Sequence, residues 1–273
     1  SAANDSKYRS ADERVYVYVY LNEFSDIDGI SAYLHEITDY DEKNCFVVAW
    51  AEVNKLLDLA SNENVKAIHS VIPPLVNAGI AEAESADVLK TIDVFENFHQ
   101  DGNFSRIGVI SDGVDFKNDA ISTGDLPPDL HVLSNSVGGD EGTAMLEIIH
   151  DMAPGAQLVF HDCGNNTAAF NSAIDALVEA GCNIIVDDVS WIAQPFFEDG
   201  EIAEHISEVL NENEKLIYIT AAGNSASRHY QGQYQKVSGS NSYHNKPLYV
   251  NMPAGGKVDI ILQWNDRFGN SGN

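Results

Sequence analysis

Arg106-Ile107-Gly108-Val109-Ile110-Ser111-Asp112-Gly113-Val114 is a short apolar run that ends in a carboxylate and a glycine. A run of this length, bounded by turn residues, fits a strand buried on both faces, as in a parallel sheet covered by helices. The sequence downstream keeps the same grammar. Strands are expected at 106–111, 157–161, 183–188 and 215–221, separated by helical patterns at 142–152, 167–180 and 200–213. Such alternation makes a doubly wound α/β domain, whose ligands sit beyond the carboxyl ends of its strands. Three of those ends carry polar side chains. They are Asp112-Gly113, then Asp187-Asp188 after Ile184-Ile185-Val186, and Ala221-Ala222-Gly223-Asn224 after Leu216-Ile217-Tyr218-Ile219.

Upstream the pattern differs. Val15, Val17 and Val19 alternate with Tyr16, Tyr18 and Tyr20, the period of a strand. Ile27, Ile30, Tyr33 and Leu34 recur at helical spacing, followed by Ile37-Thr38-Asp39-Tyr40, an acidic turn at 41–44, and the strand-like Cys45-Phe46-Val47-Val48-Ala49-Trp50. Val53, Leu56, Leu57 and Leu59 suggest a second helix, and Val65 to Val71 a last strand. The order β-α-β-β-α-β predicts a small ferredoxin-like α+β unit over residues 1–75. Pro73-Pro74 ends it, because proline donates no ladder hydrogen bond. Residues 76–105 read as an acidic linker with a helix or two, 106–235 as the α/β domain, and 236–273 as the start of a β-rich insertion. In that last stretch two strand-like runs, 247–252 and 257–264, flank a hairpin connection at Pro253-Ala254-Gly255-Gly256.

The 42 acidic against 15 basic side chains give a net charge of −27. That field repels phosphate backbones and anionic lipid, which argues against nucleic-acid binding. No apolar stretch reaches bilayer-spanning length, so membrane insertion is not expected. An acidic, soluble chain suits an extracellular or cell-surface location. Cys45, Cys163 and Cys182 are an odd count without metal-type spacing, leaving room for one disulfide.

The residues from 106 to about 235 resemble the subtilisin-like serine peptidases. The run 106–114 looks like the strand that bears the family's triad aspartate, at Asp112. Glu141-Gly142-Thr143-Ala144-Met145, with Met152-Ala153-Pro154-Gly155-Ala156 after it, looks like the second motif, where the family has His-Gly-Thr opening a helix. Thr220-Ala221-Ala222-Gly223-Asn224 looks like the segment with the oxyanion-hole asparagine, at Asn224. Ile184 to Ser190 occupies the place of the strand lining the substrate cleft, which gives Asp188, Val189 and Ser190 a substrate-binding role. Residues 14–72 are similar in pattern to the prodomains of such peptidases. The resemblance therefore implies a subtilisin-like domain, incomplete at its C-terminal end, behind a prodomain that contacts it intramolecularly.

Two departures shape the chemistry. Glu141 stands where the family has histidine. Histidine takes the nucleophile's proton because its pKa is near neutral; a carboxylate does so only if its pKa is raised or the enzyme works in acid. The related sedolisins use a Ser-Glu-Asp set, but their aspartate lies one helical turn past the glutamate, where this chain has Met145, so Asp112 is the expected partner. In addition, nothing after Asn224 matches the family's Gly-Thr-Ser motif, so the nucleophile is expected in sequence beyond this chain and residues 1–273 alone are expected to be inactive.

The expected function is a serine endopeptidase with an Asp-Glu-Ser arrangement, acting on peptide or protein substrates and requiring no cofactor. The alternative is a catalytically dead pseudopeptidase that serves as a binding or scaffold module. Asp187-Asp188 with Asp140 makes calcium a possible ligand, though without loop-motif spacing. His150, His161 and Asp162 as a metal set, and Cys163 as a nucleophile, have weaker support, and no metal site is expected from them. The run Trp191 to Phe197 either lines a subsite or covers the core.

Overall fold

The computed structural model describes residues 14–71, 75–76, 88–226, 228–233, 252 and 254–267. The N-terminal sheet contains β1 (Arg14–Leu21), β2 (Leu34–Asp41), β3 (Phe46–Glu52) and β4 (Val65–Ser70). Two short helices, α1 (Ile27–Ile30) and α2 (Leu56–Ala60), lie on the β1–β2 and β3–β4 connections. The strand order is β2-β3-β1-β4, and every neighbouring pair is antiparallel. That order with those two crossovers is the split βαβ arrangement of a ferredoxin-like unit. The helical spacing read through Leu34 stops short of it: Leu34 opens β2, and the crossover is three consecutive short turns from Phe24 to Tyr33.

The valine–tyrosine alternation of β1 divides between two cores. Val17, Val19 and Leu21 pack with Ile30, Val47, Ala51 and Leu59 beneath the two helices. Tyr16 and Tyr18 face the other way, with Phe46 and Val48, and are buried against Ala168 of the second sheet's layer. Both faces of this sheet are therefore covered, and its tyrosines rather than charged residues make the second face.

Next come β5 (Leu75–Val76), α3 (Thr91–Phe98), β6 (Arg106–Ser111), α4 (Lys117–Thr123), β7 (His131–Ser134), α5 (Glu141–Met152) and β8 (Gln157–Asp162). They are followed by α6 (Thr167–Glu179), β9 (Ile184–Asp187), β10 (Val189–Ser190), α7 (Glu201–Glu212) and β11 (Ile217–Thr220). The five-stranded parallel sheet runs β11-β9-β6-β8-β7. Ile110, Phe170, Ile174, Leu177, Ile185 and Val209 fill the layer under α6 and α7. Val109, Leu146, Leu158 and Phe160 fill the layer under α5. From β6 the chain goes outward to β7, returns through β8, then crosses to β9 on the far side of β6. The direction reverses at β6, which opens a crevice between the carboxyl ends of β6 and β9.

Two elements, α4 and β7, were not legible in the pattern; four residues of strand between loops give no periodic signal. The expected strand 257–264 is absent. Those residues have no regular structure, and Ile260 and Leu262 are 76% and 77% exposed. A strand-like run without a partner gains no ladder bonds and does not hold its form. The run 247–251 lies outside the described residues, as does Pro253 of the hairpin connection. Among the described residues no helix is long and apolar enough to cross a membrane.

Gly142, in the first turn of α5, lies where the helix meets the sheet. A Cβ there would stand 2.4 Å from Phe160 Cε2 and 2.6 Å from the Gly113 carbonyl oxygen. Alanine raises helix propensity by about 1 kcal/mol, but the clash involves backbone and a buried ring, and overpacking of that kind costs about 1–3 kcal/mol. The clash prevails, so Gly142→Ala is expected to lower the unfolding free energy in chemical denaturation with an unchanged m-value. An equal or higher midpoint would show that this contact is slack.

Candidate active site

Asp112 follows the last residue of β6, and Glu141 is the first residue of α5. The Asp112 carboxylate joins them: Oδ1 accepts the Glu141 backbone N–H at 2.9 Å and that of Gly113 at 2.6 Å. The first N–H groups of a helix have no intrahelical acceptor, and a carboxylate is the ligand their dipole favours. Gly139 makes room for this. Its φ is +139°, and a Cβ on it would fall 2.1 Å from Asp112 Oδ2. The loop between is tied down as well, with Asp115 accepting from Gly139 N at 3.1 Å and Asp140 from Phe116 N at 3.0 Å.

Asp188 enters the crevice from the other side, one residue past β9. It is 7% exposed, and its carboxyl is pushed up to about 6. Burial is the largest cause; the Glu141 and Asp187 charges add to it and the Ser111 hydroxyl opposes it. Glu141 and Asp188 are therefore near neighbours in one half-dry crevice, where carboxyl pairs tend to share a proton. Asp188 keeps its proton to a higher pH than an isolated carboxyl does.

Asp187 differs from its neighbour. Burial raises its carboxyl, but the Tyr218 hydroxyl, the Val189 N–H (3.1 Å) and the Thr220 hydroxyl (2.9 Å) hold it in place. It ties β9 to β11 and shapes the turn that presents Asp188. Sequence reasoning missed Ser111, Tyr218 and Thr220 as supports; the doubled aspartate was the available signal that one member turns inward on each side.

Val189 and Ser190 form β10, which pairs antiparallel with β5 in the register Val189↔Val76 and Ser190↔Leu75. A piece of the same chain thus pairs as a strand with the two residues that follow Asp188. Asn224 is placed differently. It is exposed, beyond the end of the edge strand β11, and its described hydrogen bond is through its carbonyl, to Arg228 Nη2 at 2.5 Å. The structure brings Asp112, Glu141 and Asp188 together, with Val189-Ser190 beside them, and leaves Asn224 outside the described contacts.

The weaker candidates resolve. Asp162 accepts from Ser134 Oγ (2.5 Å), Ser136 N (2.7 Å), Ser136 Oγ (3.0 Å) and Gly164 N (3.0 Å). Burial pushes its carboxyl up, but those bonds outweigh it and the net shift is downward. It anchors loops. Among the described residues no three His, Cys, Asp or Glu side chains converge as a metal needs. The Cys163 thiol is pushed up to about 12, by burial first and then by Asp162, Asp112 and Asp188, so it is a poor nucleophile. Cys45, Cys163 and Cys182 are free thiols, and the room for a disulfide is unused. Trp191 packs edge-on against Phe170 with centroids 5.6 Å apart, whereas Phe196 and Phe197 are exposed. The 191–197 run therefore divides between core and surface.

No family model matches the chain. No curated protein matches it either. Solved structures do. A crystal structure of a serine-to-alanine mutant of the epidermin leader peptide processing serine protease (EpiP) from Staphylococcus aureus superposes with a TM-score of 0.50 at 15% identity, covering 81% of this chain and 66% of that one. A second crystal structure of EpiP gives 0.48 at 15% identity, covering 81% and 65%. The chain thus spans just under two thirds of the structures it matches. At that identity the likeness is one of fold, a serine-protease-like α/β arrangement.

The raised Asp188 carboxyl has a measurable consequence. Its folded-state pKa lies above the unfolded value, so its contribution is fully present in acid and is lost as pH rises through about 6. Asp188→Asn removes the buried charge. It is expected to stabilise the protein above that pH by about 1–2 kcal/mol, after discounting for solvent screening, with little effect below about pH 4. Denaturant titrations across pH test this; an equal loss at all pH values would show that Asp188 is no more than a packing residue.

Proposed function

We propose that the crevice between β6 and β9 is the acid–base centre of a serine peptidase of subtilisin-like type working in acid, with an Asp-Glu-Ser arrangement. The observation that carries this reading is the convergence of Asp112, Glu141 and a proton-holding Asp188 beside a strand-pairing site. In this reading the serine comes from sequence outside residues 1–273. Glu141 takes the serine hydroxyl's proton as the serine oxygen bonds to the substrate carbonyl carbon, and the carbonyl electron pair moves to oxygen. When the C–N bond breaks, Glu141 returns the proton to the leaving amine. Water then repeats the attack on the acyl group and frees the serine. Asp112 fixes where Glu141 begins its helix, and protonated Asp188 spares it a second full negative charge. In this reading Asn224 donates its side-chain amide to the oxyanion.

Val189 and Ser190 bind the peptide substrate through their backbone, in the way they now hold Leu75-Val76. The N-terminal unit is then a prodomain that covers the cleft with its own chain, and the acidic composition fits an extracellular or cell-surface enzyme. A pseudopeptidase is the competing outcome. Three measurements on the protein carrying its serine segment decide. A fluorophosphonate probe is expected to label it. Hydrolysis of a denatured protein substrate is expected to fall as pH rises through about 6, with Asp188→Asn flattening that fall. Glu141→Gln is expected to cost about 10²–10⁴ in kcat. Absent labelling, or an active Glu141→Gln, would end the reading.

A further inference from the structure

The N-terminal sheet does not dock on the α/β layer through opposite charge. Residues 14–71 carry four basic and ten acidic side chains, a net charge of −6, and residues 88–233 carry five basic and 24 acidic, a net charge of −19. Two bodies of the same sign are held face to face. The contact is correspondingly neutral: Tyr16, Tyr18, Phe46, Val48 and Val71 bury Ala168. Its polar bonds come mostly from hydroxyls and amides. Tyr20 donates to Glu201 Oε1 at 2.7 Å, Thr167 N donates to the Tyr18 hydroxyl at 3.0 Å, and Asn166 Nδ2 donates to Asp39 Oδ2 at 2.8 Å and to the Tyr16 hydroxyl at 3.4 Å. Among the described residues the ion pair across this contact is Lys43–Glu208, with both side chains about half exposed. Exposed pairs of that kind contribute little.

The groove beside the contact repeats the imbalance at close range. Asp41 and Glu42 from the N-terminal unit and Asp175, Glu201 and Glu208 from the α/β layer line it together, with Lys43 and His205 as its basic side chains. His205 already donates to Asp175 at 2.9 Å.

We infer that this is a docking surface tightened by ionic strength: salt screens the repulsion between two acidic units and leaves the tyrosine contact intact. Unlike charges would give the reverse, since screening then removes attraction. The screening length shortens from about 8 Å at physiological salt to about 3 Å at 1 M. The occupant is the N-terminal unit of this chain, whose tyrosine face is the one seated there. The inference is independent of any chemistry in the crevice.

One amide reports the contact directly. Thr167 is the first residue of α6, so its N–H has no intrahelical acceptor and is satisfied by the Tyr18 hydroxyl. It is protected from exchange only while the two units touch. Hydrogen exchange on the whole chain is expected to slow at Thr167 by roughly tenfold between about 0.05 M and about 1 M sodium chloride, with a smaller change at the amides of β6. Asp28, Asp58 and Glu63 are exposed acidic residues on or beside the helices covering the opposite sheet face. Asp28→Lys, Asp58→Lys and Glu63→Lys together bring the N-terminal unit to neutrality, and are expected to abolish most of the salt effect at Thr167 while each alone removes a part. Exchange at Thr167 that is unaffected or accelerated by salt overturns the inference, as does an undiminished salt effect in the triple variant. Far stronger protection by calcium chloride than by sodium chloride at matched ionic strength also overturns it, in favour of a specific cation. No hydrolysis is read, so these outcomes leave the peptidase reading where it stands.

Discussion

The bond from the Glu141 amide to the Asp112 carboxylate is the constraint on which the crevice depends. It joins the carboxyl end of the central strand to the amino end of the helix covering one face of the sheet. A strand end and a helix start are both places where backbone groups lack regular partners, and one carboxylate serves both, since it also accepts from Gly113. The glycines around it follow from that closeness. At Gly139 any side chain would occupy the space of the carboxylate itself, so the motif is a packing requirement whatever its chemistry.

The fold was legible wherever burial imposed a period. The apolar run at 106–111 and the alternation at 15–20 each matched a strand, because the first is covered on both faces and the second divides its side chains between two cores. What stayed hidden was short or unsupported. β7 is four residues long, the 24–33 crossover is broken into single turns, and the run 257–264 has strand composition without a neighbour to pair with. The alternation showed a strand but not what its tyrosines meet, and the structure buries them in a second core.

The candidate site was legible as three strand ends but not as a geometry. Topology brought Asp112 and Asp188 together, because the chain reverses direction at β6 and places the ends of β6 and β9 side by side. The same order puts the end of β11, which leads to Asn224, beside β9 and one strand farther from β6. The division of labour between Asp187 and Asp188 could not be read from two identical letters. It comes from the turn: one side chain is met by Tyr218, Thr220 and an amide, and the other by Ser111 and a like charge.

A protein so acidic must place its negative charges somewhere, and the two units place them with opposite effect. In the crevice, burial first and the neighbouring acidic charges second hold a proton on Asp188 at a pH where an isolated carboxyl would have lost it. At the contact between the sheets crowding opposes assembly, so charge is replaced there by phenol hydroxyls, which donate to a carboxylate without adding another. Tyr20 and Glu201 show the exchange: burial and the adjacent Glu201 carboxylate keep the Tyr20 hydroxyl firmly protonated, and it donates across the units to that carboxylate.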